Sequence, residues 1–252
     1  MANAALGITA TEKLQHLVAL LEGSEGFAEV VASLKAGHGA TLDGVRGSSG
    51  ALVAAAMARH APGPIVVVLP QPGDIDDFCD DLAVFSELSP ERFPAWEAAA
   101  TERKIDDEIY GDRLRLLKLL REARQGPAAV RPPKKRPVSA PSSMLIVASI
   151  QALMQPTPSE ELLARQTRRL TVGHTVDVEA LTRWLVEQGF HNASAVATPG
   201  EFSLRGGILD LFAPDWFDPV RVEFFGDEVE SIRRFEVATQ RSLAALDALE
   251  LT

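Results

Sequence analysis

The chain has 252 residues and carries 25 Lys plus Arg against 35 Asp plus Glu, a net charge of −10. That length accommodates one large domain or two ordinary ones, and the acidic balance argues against a free-standing module whose affinity comes from neutralising phosphates. Cys79 is the only cysteine, so intramolecular disulfides and thiolate-rich zinc sites are excluded. No run reaches the roughly 18–20 apolar residues of a membrane span, and no basic stretch leads into an apolar N-terminal segment. A membrane partner is therefore not expected, and the expected location is cytoplasmic.

The first part of the chain predicts alternating helix and strand. Leu14, Leu17, Val18 and Leu21 recur at helical spacing and predict an amphipathic helix over Thr11 to Leu21. A Gly-rich stretch and the segment Ala40 to Arg59 follow. Ile65 to Leu69 is an apolar, β-branched run without a polar interruption, the pattern of a parallel strand covered on both faces. Asp74 to Phe85 predicts a helix that buries Ile75, Phe78, Leu82 and Phe85 and turns Asp76, Asp77, Asp80 and Asp81 to solvent. Glu108 to Arg121 is a further helix rich in leucine, and Phe93, Trp96 and Tyr110 are expected to pack against this first unit. A second core strand is predicted at Met144 to Ala148, followed by a short helix with Ile150, Leu153 and Met154.

Residues 126–143 contain Pro127, Pro132, Pro133, Pro137 and Pro141 together with Arg131, Lys134, Lys135 and Arg136. Five prolines suit neither a helix interior nor a central strand, so this segment is expected to be a solvated surface insertion. Beyond Pro156-Thr157-Pro158 the pattern changes to α+β. A short strand is predicted at Leu170 to Val172, and a helix over Asp177 to Gln188 presents Val178, Leu181, Leu185 and Val186, with Asp177 as cap and Gly189 closing it. Strands are predicted at Ser194 to Ala197, Phe202 to Phe212, Val220 to Phe225 and Glu228 to Phe235, the last two joined by a Gly226-Asp227 turn.

Gly44, Gly47, Ser48, Ser49, Gly50 and Ala51 stand where a phosphate-binding loop would, at the start of a helix. In a working loop, G-x-x-x-x-G-K-[ST], the Lys reaches the β/γ-phosphates and the hydroxyl holds magnesium. In register, Ser49 takes the last Gly position, Gly50 the Lys position and Ala51 the hydroxyl position. This predicts a vestigial loop that turns into a helix and does not hydrolyse nucleotide. The five histidines are scattered without metal-ligand spacing. No nucleophile, base and orienting group come together, so neither a catalytic residue nor a metal or cofactor is predicted.

The most specific stretch runs from Gly200 to Phe212, with Arg205-Gly206-Gly207 at its centre, and continues through Val220 to Ile232. Period-two alternation places Val220, Val222 and Phe224 on one face and Arg221, Glu223 and Phe225 on the other. The second set, a cation, an anion and an aromatic, is a hot-spot composition. Equally, it fits an aromatic folded over the turn beside a local ion pair.

This stretch resembles the domain shared by the UvrB excision-repair helicases and the transcription-repair coupling factors, the domain that docks onto UvrA. The likeness extends weakly upstream through Leu42 to Ala56, Ile65 to Pro70 and Leu145 to Gln155. A UvrB-type helicase needs an intact phosphate loop and an aromatic-rich hairpin, and neither the loop here nor Phe93 to Arg121 provides them. Trp96-Glu97 and the helix leading to Arg113-Leu114 follow the order of the coupling factors instead. The resemblance implies a degenerate P-loop RecA-like α/β parallel-sheet domain at 1–165 and a small α+β UvrA-binding domain, a helix on an antiparallel sheet, at 166–252. It further implies an adaptor that recruits UvrA in transcription-coupled nucleotide excision repair. ATP hydrolysis and the contacts with RNA polymerase and DNA would lie in later modules, the chain being the N-terminal part alone. Arg205, Arg221 and Phe225 match the family's UvrA contacts, and Glu223 shares their face. The rival expectation is an active UvrB-like ATP-dependent helicase fragment, which would require Lys in place of Gly50.

Overall fold

The computed structural model describes residues 10–96, 108–125 and 144–252. The predicted insertion at 126–143 and Glu97 lie outside the described residues. The chain divides into two contact units, and among the described residues the first comprises 10–95 and 144–154 and the second 96, 108–125 and 155–252.

The first unit is a parallel three-stranded sheet with helices. Its elements are α1 (Ala10–Glu22), α2 (Phe27–Lys35), α3 (Ser49–Ala58), β1 (Ile65–Leu69), α4 (Asp74–Phe85), β2 (Glu91–Phe93), β3 (Leu145–Ser149) and α6 (Ile150–Met154). The strand order is β1-β3-β2, with both pairings parallel. The core joins Val18, Phe27, Ala51, Ala55, Phe78 and Leu82 of the helices to Leu145 and Val147. Seven of the ten residues of helix α3 are Ser, Gly or Ala, and Ala51, Ala54, Ala55, Ala56 and Ala58 are buried along it, which permits close approach to its neighbours.

One expectation is corrected here. β1 is an edge strand, and only Ile65, Val67 and Leu69 pack toward the helices, while Val66 and Val68 are 50% and 46% exposed. The two-faced burial inferred from its apolar run belongs to β3, whose five residues are all buried. An apolar run alone does not distinguish a central strand from an edge. Helix α2 was not anticipated. It starts behind Gly26, whose φ of 85° is readily adopted only without a side chain.

The second unit contains α5 (Glu108–Gln125), α7 (Glu160–Gln166), β4 (Arg168–Thr171), α8 (Val178–Glu187), β5 (His191–Asn192), β6 (Glu201–Arg205), β7 (Ile208–Phe212), β8 (Val220–Phe225), β9 (Glu228–Phe235), β10 (Ser242–Ala245) and β11 (Ala248–Leu251). The main sheet has the order β10-β9-β8-β7-β6-β5, antiparallel apart from the parallel β5–β6 pair, and β4 and β11 form a separate antiparallel ribbon. Leu181, Trp184 and Leu185 of α8 pack on Phe202, Leu209, Leu211, Val220, Val222 and Phe224 from one face of the sheet. Asp177 caps α8 as predicted, its carboxylate accepting the Ala180 N–H at 2.8 Å. Val186, expected on the packed side, is exposed, and Trp184 takes its place.

Two predicted strands change form. Ser194 to Ala197 is not a strand but a loop, closed by the Glu201 carboxylate accepting the N–H groups of Ala197 and Thr198. Burial opposes its charged form, but these bonds, together with the Thr198 side chain and His191, hold the Glu201 carboxyl below its ordinary pKa. Phe202 to Phe212 is not continuous. Gly206, with φ of 60°, and Gly207 turn it into the β6–β7 hairpin. Gly207 has a second constraint, because a Cβ there would lie 2.7 Å from the carbonyl oxygen of Phe224.

Helix α5 also differs from expectation, which placed it in a domain at 1–165. It belongs to the second unit, as do Trp96 and Tyr110, whose rings lie 6.2 Å apart. Lys118 donates to Asp215 at 2.8 Å in a buried ion pair and to the Glu250 carbonyl at 3.4 Å. Arg115 donates to the Asp215 carbonyl and stacks on Phe217 at 4.2 Å. At Gly111 the helix meets the Pro214 carbonyl so closely that a Cβ would sit 2.1 Å from its oxygen.

In an unconstrained helix interior Gly→Ala stabilises by about 1 kcal/mol. Here the sign reverses. Gly111→Ala is expected to destabilise the protein by about 2–3 kcal/mol through overpacking against backbone that cannot turn aside. Chemical denaturation of the two proteins measures the difference, and a gain in stability would contradict the packing described.

Candidate functional site

The sheet face away from α8 is polar, and a single buried carboxylate organises it. Asp210 sits in the middle of β7 between Leu209 and Leu211 and is only 2% exposed. Register places Ser203 of β6 and Arg221 of β8 directly opposite it, and Arg233 of β9 opposite Arg221. Arg221 makes the two-pronged contact that a guanidinium and a carboxylate favour, Nε to Oδ1 at 2.7 Å and Nη2 to Oδ2 at 2.9 Å. Arg205 reaches Oδ2 at 3.4 Å from the end of β6 and stays 60% exposed. Arg221 also lies over the Phe235 ring at 4.8 Å, and its Nη2 donates to Gln240 Oε1 at 3.1 Å. The bond to Asp210 raises the Arg221 pKa further, so this cation is permanent.

A second pair stands one row on. Glu223 accepts from the Ser231 hydroxyl at 2.7 Å and from Arg233. The Ser231 bond, ahead of the charges of Arg233 and Arg221, holds its carboxyl below the ordinary range. Like charges at cross-strand positions destabilise a sheet, and the Arg221–Arg233 juxtaposition is relieved by giving each arginine its own carboxylate.

Phe225 ends the row at the β8–β9 hairpin and is 80% exposed. A bulge between Glu223 and Phe224 shifts the register there, so that Phe225 pairs with Glu228. A shallow groove beside it is lined by Val172, Gly173, Glu228, Val229 and Glu230. The four predicted docking residues Arg205, Arg221, Glu223 and Phe225 thus share one face of one sheet. The sequence reading did not identify Asp210, Ser231, Arg233 or Gln240. An Asp inside the apolar run Ile208 to Phe212 was the available signal, because a charge in such a strand requires a partner.

The predicted phosphate loop is a closed turn. A phosphate loop hangs between a strand and a helix, and here residues 40–48 contain no strand and 41–48 are exposed. Four of its backbone donors are already used. The Gly44 N–H goes to the Asp43 carboxylate, Arg46 N–H to Ser49 Oγ, Ser49 N–H to the Arg46 carbonyl and Gly50 N–H to the Gly47 carbonyl. Gly44 and Gly47 adopt φ of 75° and 53°. Ser48 precedes α3 without a side-chain capping bond. A Cβ at Gly50 would meet nothing nearer than the Phe78 ring at 3.9 Å, so its attachment point is open. Position 51 lies in the core, where a hydroxyl could not serve a metal at the loop. Among the described residues no group of three or more His, Cys, Asp or Glu could hold a metal ion, and no helix is long and apolar enough to cross a membrane.

Two measurements follow from this geometry. ATP with magnesium is expected to bind no tighter than about 1 mM, about −4 kcal/mol. A micromolar, magnesium-dependent isotherm in calorimetry would show that the turn opens into a cradle. Ser231→Ala is expected to move the Glu223 pKa up toward the unperturbed glutamate value of about 4.3, read by carboxyl NMR titration. Because the native pKa is depressed, the associated stability is present above the unfolded value and lost as pH falls through the native one. The variant therefore loses stability near neutral pH and little at the acid end.

Residues 169–252 match the family described as the UvrB interaction domain, so the polar sheet face lies within the matched segment. The chain is 37% identical over 198 residues to a transcription-repair-coupling factor of Mycobacterium bovis, covering 78% of this chain and 15% of that protein. It is 32% identical over 237 residues to the Myxococcus xanthus counterpart and 27% over 241 residues to that of Bacillus subtilis, covering 91% and 94% of this chain. The chain spans 15–19% of the length of these relatives. It is similar to the N-terminal region of the transcription-repair-coupling factors, and its last third matches the UvrB interaction domain.

Proposed function

We propose that this chain is a protein-recruitment region of transcription-coupled nucleotide excision repair that docks UvrA on the β6–β9 sheet face and does not itself hydrolyse ATP. One observation carries the reading: Phe225, 80% exposed, shares a sheet face with Arg221, held two-pronged by Asp210, and with the exposed Arg205, inside the segment that matches the UvrB interaction domain. A large exposed aromatic beside fixed guanidiniums combines apolar area with charge-assisted donors at low entropic cost, the usual make-up of a binding hot spot. In this reading the first unit is a degenerate RecA-like domain, and the second, with α5 included, is the docking domain. No cofactor is required. Contacts with RNA polymerase and DNA are assigned to modules of the longer relatives outside the matched region.

The buried carboxylate decides which variants test the proposal cleanly. Arg221→Ala leaves Asp210 with a single 3.4 Å partner, and removing one member of a buried pair costs about 3 kcal/mol or more. That variant is expected to melt early and to lose binding for two reasons at once. Arg205→Ala and Phe225→Ala leave the Asp210–Arg221 pair intact. Each is expected to keep the wild-type melting temperature and to weaken UvrA binding roughly 30-fold, the equivalent of about 2 kcal/mol. Val222→Ala, fully buried against α8, is expected to lose about 2 kcal/mol of stability while its folded fraction binds normally. A titration against purified UvrA with parallel melts measures all four. Normal UvrA binding by folded Arg205→Ala and Phe225→Ala would place the docking face elsewhere.

A further inference from the structure

Gln240, in the β9–β10 connection, is the one non-glycine residue with positive φ among the described residues, at 57°. A residue with a side chain is rare in this conformation, and where one persists the surrounding structure must hold it there. Here the hold is visible. The Gln240 N–H donates to the Glu236 carbonyl at 2.8 Å, its Nε2 donates to the Val237 carbonyl at 3.0 Å, and its Oε1 accepts from Arg221 at 3.1 Å. The side-chain amide is thus fixed at its nitrogen end by the turn and presents its oxygen to the guanidinium. Asp210 holds the same guanidinium from the other side through Nε and Nη2, and the Phe235 ring lies against it. These contacts use three of the five guanidinium hydrogens and leave both on Nη1 for a partner.

We infer that Gln240 is a positioning residue that, together with Asp210, locks Arg221 in its docking orientation. The inference rests on the docking reading above. A glycine at this position would relieve the backbone and keep the N–H bond to the Glu236 carbonyl, losing from the turn itself only the exposed Nε2 bond to the Val237 carbonyl. What glutamine adds is the contact to Arg221, at the cost of an unfavourable φ. Stability and binding are therefore expected to respond in opposite directions, which a merely structural residue would not produce.

The test uses Gln240→Gly, Gln240→Glu and Phe225→Ala in the full chain, with thermal melts and titration against purified UvrA. Gln240→Gly is expected to melt at or above the wild-type temperature and to bind about tenfold more weakly, the loss of one hydrogen bond to a charged group. Gln240→Glu restores an oxygen acceptor opposite Arg221 and is expected to bind within about threefold of wild type. Wild-type binding by Gln240→Gly while Phe225→Ala still loses affinity overturns the positioning role and leaves the docking face standing. Wild-type binding by Phe225→Ala overturns the docking reading and this inference with it. A Gln240→Gly protein that melts well below wild type, or a Gln240→Glu protein that binds no better than it, assigns Gln240 to the fold alone.

Discussion

A carboxylate enclosed in a β-sheet has to be neutralised within the sheet, because taking an isolated charge out of water costs several kcal/mol even after the protein relaxes. Asp210 imposes this requirement on the second unit. Its position in β7 is fixed by the leucines on either side, which point to the α8 core. A one-residue slip of the strand would exchange Asp210 for a leucine and place the charge in that core, so the ion pair and the hydrophobic pattern enforce one register. Arg221 is opposite because β8 obeys the same alternation. Arg233 follows from β9, and Glu223 from the need to compensate Arg233. The polar face is in this sense a chain of consequences from one buried charge.

Much of this was legible in the sequence. The alternation of Val220 to Phe225, the Gly226-Asp227 turn and the Asp177 cap required only periodicity and turn chemistry, and each depends on contacts close in sequence. The features that escaped depend on distant partners. Nothing local in Ile65 to Leu69 reveals that β1 is at the edge, since the composition of a strand does not record its neighbours. The leucines of α5 announce a helix but not its place. That is set by Lys118 meeting Asp215 and Gly111 meeting Pro214, about a hundred residues away in sequence. The short β10 and β11 segments have weak alternation, and β11 is defined by pairing with β4.

The candidate site divides along the same line. Arg205, Arg221, Glu223 and Phe225 could be selected because exposed aromatic and charged residues on one strand face are conspicuous without a fold. Asp210 looks like a lone acid in an apolar run until β8 supplies its partner. Gln240 gives no signal at all, because neither its φ nor its contact with Arg221 is written in its neighbours. The phosphate loop shows the reverse case. Its missing Lys and hydroxyl were evident from spacing, but the stronger obstacle is structural: four of its backbone donors are spent on the turn itself.

The contrast between Arg205 and Arg221 shows how such a face can combine order with adaptability. Arg221 is held at three of its hydrogens and by a ring, so it has little rotamer freedom left to lose when a partner arrives, and immobilising a long side chain otherwise costs about 0.5–1.5 kcal/mol. Arg205 has one long contact and remains mostly in solvent, so it can adjust to the position of an incoming acceptor. Phe225 has only two side-chain torsions to fix, and it contributes exposed apolar area at the hairpin end of the strand. A rigid donor at the centre, an adjustable donor at one side and an aromatic at the hairpin end form a graded surface. The order at its centre comes from folding, before any partner is met.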